Sequence, residues 1–100
     1  MSASRAPLVH WRAVPGDELH FAQWGEDVVL FHAPSGLTHF VNVATAMLLR
    51  EVLAGPRSLD AAARHLAAAE NAQVDEHFLS QVAELIQRLE ALGLVKRVAA

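Results

Sequence analysis

The sequence contains no cysteine, which excludes a disulfide framework, a thiolate zinc site and thiol catalysis, and makes an intracellular home the expectation. Glycine and proline are sparse, five and four in 100 residues, so the composition is not that of a disordered or low-complexity chain. Basic residues are few as well. Eight Lys and Arg stand against eleven Asp and Glu, a formal net charge of −3. A chain that neutralises nucleic-acid phosphates needs the opposite balance, so nucleic acid is disfavoured as a partner. Long apolar runs are also lacking. The longest, such as residues 28–31 and 43–49, are broken by His32, Thr45 or Arg50, far short of a membrane span. Arg5 and Arg12 near the N-terminus enclose no continuous apolar stretch of a secretory signal. The expectation is a cytoplasmic protein with no membrane segment.

What is present is hydrophobic material in quantity, 53% of the residues against 19% charged, in a length that closes one modest core and no more. Residues 19–24, 28–32 and 37–41 are short runs of β-formers, read as three strands. A tight turn at Trp24, Gly25, Glu26 and Asp27 places Phe21 opposite Leu30. Ala33, Pro34, Ser35 and Gly36 supply a second reversal, so the three strands form an antiparallel meander. A further extended piece, residues 8–14, alternates weakly, ends at Pro15 and Gly16, and has no partner that local pattern determines.

After Asn42 the period changes from two to 3.6. Asn42 caps a helix over residues 43–54, whose stripe of Val43, Ala46, Met47, Leu49, Val52 and Leu53 ends at Gly55 and Pro56. Ser58 caps a second helix to about residue 69, with Leu59, Ala62 and Leu66 facing inward. Asp75 opens a third, which Gly93 closes so that Leu94 folds back on Leu89. Residues 94–98 read as a short strand, and Ala99 and Ala100 as a frayed tail. The predicted fold class is α+β and winged-helix-like: a three-stranded antiparallel meander, three helices and a short C-terminal strand, with the second and third helices as a helix-turn-helix pair. Residues 1–18 form a partly ordered N-terminal extended segment and residues 19–98 the single domain.

Little here carries covalent chemistry. Six histidines invite a metal site, yet no H-x-H or H-x-x-x-H pair occurs, so no metal ligand set is assigned. His20 and His32 are expected as near neighbours across the first hairpin, with His39 one strand further on. Ser35 lacks the first glycine and the strand-to-helix setting of a nucleophile elbow and reads as a turn serine. No glycine-rich phosphate loop exists. The carboxylate pairs Glu26-Asp27 and Asp75-Glu76 belong to a turn tip and a helix start. No catalytic residue and no cofactor is assigned, and the chain is read as a non-enzyme.

The informative feature is the third helix, whose apolar arc is wider than a small core needs. Phe78, Val82, Leu85 and Leu89 form its centre, with Leu79, Ile86 and Ala83 on one flank as spare hydrophobic surface. The third strand has neither the prolines nor the lysines that blunt an exposed edge. Strand and helix flank together read as a slot for an extended peptide: Leu37, Thr38, His39, Phe40 and Val41 pair with its backbone, and Leu79, Ala83 and Ile86 take its side chains.

The run from Val29 to Asn42 (VLFHAPSGLTHFVN), followed by Ala44, Thr45, Ala46 and the Met47-Leu48-Leu49 stripe, resembles the PqqD-like family of peptide chaperones. Ser58-Leu59, the helix start Val74-Asp75 to Phe78-Leu79 and the ending Leu92-Gly93-Leu94-Val95 fit the same pattern. The Ser-Gly-x-Thr-His stretch is similar to the branch associated with a kinase related to HPr kinase, the HPr-rel-A system. The resemblance implies a recognition element that holds the leader of a ribosomally made precursor peptide as an added strand and presents it to a modifying enzyme. The implied partners are that peptide, its modifying enzyme and an HPr-kinase-related protein. In departure from the better-known members, Ala54-Gly55 stands where they often carry Asp-Gly, and the segment around Trp11 is additional. Two rival readings fit the same residues: a winged-helix DNA-binding regulator, using Lys96 and Arg97, and a structural subunit whose slot is filled by a second copy in a homodimer.

Overall fold

Alternation of side chains over residues 19–42 folds the first half of the chain into an antiparallel sheet. The computed structural model describes residues 9–99; residues 1–8 of the expected N-terminal segment and Ala100 of the expected tail lie outside the described residues. Strands β1 (Val9–Ala13), β2 (Leu19–Trp24), β3 (Asp27–His32) and β4 (Leu37–Asn42) are followed by helices α1 (Val43–Arg50), α2 (Leu59–Glu70) and α3 (Glu76–Ala91) and by strand β5 (Val95–Ala99). The fold class is α+β, as expected from the sequence. The larger sheet has the order β2-β3-β4, and β1 and β5 form a second, two-stranded sheet.

The first hairpin takes the expected register, with Phe21 opposite Leu30. The second turns on Gly36, whose φ of 71° lies in the left-handed region that favours glycine. Ser35 braces that turn. Its hydroxyl lies 2.9 Å from Nδ1 of the buried His32 and accepts the N–H of Leu37 at 3.2 Å.

Helix ends follow local chemistry. The side chains of Asn42, Ser58 and Asp75 accept the N–H groups of Thr45, Ala61 and Phe78 at 2.8, 3.1 and 2.8 Å. Gly93, with φ 81°, closes α3, and the Leu94 N–H donates to the Leu89 carbonyl at 2.9 Å. The first helix stops short of expectation. α1 ends at Arg50, and Val52–Ala54 continues as a 3-10 turn in which Val52 and Leu53 are fully buried. Arg57 takes up the Val52 carbonyl through Nε at 2.7 Å, so the tighter turn leaves no orphan acceptor there.

The partner of the N-terminal strand is β5, antiparallel from Val9 opposite Ala99 to Ala13 opposite Val95. Ala99 is therefore the last residue of a paired strand, not a frayed end. Trp11 and Arg57 exchange backbone hydrogen bonds of 2.8 and 3.0 Å, which fasten β1 to the segment before α2. Ala13 and Val14 enter the core with Leu30, Leu48, Leu53, Leu66, Ile86 and Leu94. Residues 9–18 thus pack with the rest of the fold and share its core.

Candidate functional site

β4 is an edge strand: β3 pairs with one side of it, and no strand among the described residues pairs with the other. About half its backbone N–H and C=O groups therefore point away from the sheet. The edge opens onto a groove of about 510 Å³ between β4 and α3. Asn42 fixes both ends of this geometry, because it terminates the strand and caps α1. Buried Thr45 and Leu89 form the floor, and Leu85, Arg88 and Leu92 rise along the helical side.

Of the strand residues expected to line the slot, Thr38, His39, Phe40 and Val41 do so, and Leu37 does not. None of the expected helix residues lines it. Ile86 is 2% exposed and part of the core, and Leu79 is half-buried and packed against that core. Ala83 is half-buried and away from the groove. The reason is rotational. α2 and β5 both pack against α3, and Ile86 is drawn inward with Val82 and Leu89. The flank that faces the groove is then the opposite one, half-buried Leu85, exposed Arg88 and exposed Leu92, residues at i, i+3 and i+7 on one helical stripe of mixed character. Leu92, 45% exposed, is the visible end of it.

His39 is one of the polar groups that line the groove. Its Nε2 is buried and has no hydrogen-bond partner among the described residues, a state that costs free energy until a partner arrives. Arg88, at the groove rim, belongs to no ion pair of the described residues. The other face of the sheet is uncovered: Phe40 is 80% exposed, Trp24 69% and Phe31 40%, with Val29 paired to Phe40 between them.

The remaining candidates separate. His20 pairs with Phe31 and His32 with Leu19, so the two imidazoles project from opposite faces of the hairpin and are not neighbours in a site. No group of three His, Asp or Glu among the described residues is placed to hold a metal ion. His32 joins Ser35 at 2.9 Å and approaches Glu18 at 3.6 Å, but neither groove nor cavity is lined by Ser35 or His32, and the trio serves as a turn clamp. Arg97 is held by Glu90 at 2.8 Å and lies over the Trp11 ring at 6.0 Å. No helix of the described residues is long and apolar enough to cross a membrane.

No family model, curated protein or solved structure matches the chain.

Proposed function

We propose that the chain is a non-enzymatic, cytoplasmic peptide-binding module, which takes an extended segment of a precursor or leader peptide as a fourth strand along β4 and presents it to a modifying enzyme. The observation that carries this reading is the unpaired edge of β4 lying beside a groove of mixed polar and apolar lining between that strand and α3. The likeness of residues 29–42 to the PqqD-like chaperones supports it from the sequence side. The bare Nε2 of His39 gives the incoming chain a hydrogen bond to satisfy, and Arg88 gives it a place for a carboxylate.

Both strand and groove are needed on energetic grounds. A few backbone hydrogen bonds at about 1 kcal/mol net each do not offset an association cost of about 4 to 15 kcal/mol. Covering about 300 to 400 Å² of apolar surface at about 25 cal/mol per Å² adds about 8 to 10 kcal/mol, which is in keeping with micromolar complexes.

Titration of candidate leader peptides encoded beside the gene tests the reading. Binding should protect the amides of residues 38–42 from exchange and should weaken at least ten-fold in Leu85→Glu and Leu92→Glu. Peptides that bind the variants as well as the parent chain would sink it. A second reading, a structural subunit that dimerises, draws on the exposed Phe40, Trp24 and Phe31. Under that reading the mass in solution doubles with concentration and peptide does not lower it. The DNA-binding alternative draws little from the geometry, since Arg97 is already engaged by Glu90.

A further inference from the structure

A second concavity, of about 450 Å³, lies by β2, the edge of the larger sheet opposite to β4, where β1, β2 and the end of α1 meet. It shares no lining residue with the groove. Arg12, His20 and Arg50 line it, and no Asp or Glu does, although acids outnumber Lys and Arg in the chain. The two guanidinium groups have no carboxylate partner among the described residues, whose ion pairs join Asp60 to Arg64, Glu90 to Arg97 and Glu18 to His32. Arg50 is oriented, not free: its guanidinium stands 5.0 Å over the Phe21 ring.

A second, independent observation points the same way. Arg12 lies directly opposite Lys96 in the β1-β5 ladder. Like charges at opposed positions destabilise a strand pair, and no anionic side chain among the described residues pairs with either. Of this pair Arg12 lines the cavity, where an anion would offset its charge. Two guanidinium forks match a doubly charged oxyanion better than a single carboxylate. Exposed Pro15 and Ala54 and half-buried Phe21 supply apolar surface in the same cavity as the arginines, and the volume exceeds what a bare phosphate fills.

We propose that this cavity binds a phosphate monoester carrying an apolar body, through Arg12 and Arg50 with His20 beside them. The probe is phenyl phosphate, followed by amide shifts of the full chain. Saturable shifts should appear at Ala13, Gly16, Phe21 and Arg50, weaker by at least ten-fold for inorganic phosphate and for benzoate, and absent for phenol. Arg12→Gln and Arg50→Gln should each weaken phenyl phosphate at least ten-fold, and Arg64→Gln should leave it unchanged. All three side chains are exposed, so native amide dispersion in each variant separates lost binding from lost fold. No saturable shift by about 10 mM, or an unchanged affinity in the Arg12→Gln, Arg50→Gln double variant, would overturn the site. Benzoate binding as tightly as phenyl phosphate would overturn the phosphate assignment, inorganic phosphate as tightly would overturn the apolar body, and tighter capture of a short DNA duplex through the same arginines would overturn the small-molecule ligand.

Discussion

At the scale of single residues, His39 is under two opposed demands. Its bare Nε2 costs about 1 to 3 kcal/mol in the peptide-free chain, whereas the proposed function uses that same nitrogen to hold the incoming strand. His39→Leu is therefore expected to keep or raise the urea midpoint while weakening peptide capture several-fold; a destabilised variant with full binding would remove His39 from the site. Ser35 has only a structural task. Ser35→Ala leaves His32 Nδ1 and the Leu37 N–H without their partner and should lower stability by about 1 kcal/mol in chemical denaturation, with peptide affinity unchanged. Residue-scale features of this kind were the most legible from sequence. The caps at Asn42, Ser58 and Asp75 and the left-handed Gly93 depend on neighbours within one turn, and local pattern identifies them. The histidines were not legible in that way, since the pairing of His20 with Phe31 and not with His32 depends on strand register and side-chain alternation together.

At the scale of elements, α3 separates what periodicity tells from what it does not. Its apolar breadth is visible in sequence, but which flank faces inward is decided by contacts with α2 and β5 that no local pattern encodes. Ile86 and Leu92 now make opposite predictions. Ile86→Ala should cost about 2 to 5 kcal/mol in unfolding free energy, because it empties a packed core position. Leu92→Ser, at a half-exposed position, should change stability by no more than about 0.5 kcal/mol and weaken peptide binding markedly. Equal stability losses in the two would contradict the rotational setting of α3 described above. On β4, Phe40→Lys should blunt the edge, and the measurement is loss of amide protection at residues 38–42 on peptide addition. The β4 edge itself was legible, because it needs only the order of three short strands joined by two turns.

At the scale of the whole molecule, the pairing of β1 with β5 is the feature that sequence concealed. It joins segments from opposite ends of the described chain, and loop closure over that distance leaves no trace in local composition. Removing residues 1–14 deletes β1, strips Trp11 from Arg57 and uncovers the buried Val95. The shortened chain is expected to lose its cooperative thermal transition, and a melting profile like that of the full chain would show that β1 is an accessory. The same pairing brings two sequence-distant positions together: Val9 and Ala99 are cross-strand neighbours, about 4.5 to 5.5 Å apart by the geometry of antiparallel ladders. In a chain trimmed to residues 9–99, a short bridge between those positions would close the polypeptide into a ring, and reopening it in the exposed stretch 72–74 would yield a circular permutant. The same adjacency suits the stretch 9–99 to insertion within a loop of a larger host, because the host's chain would resume almost where it was interrupted.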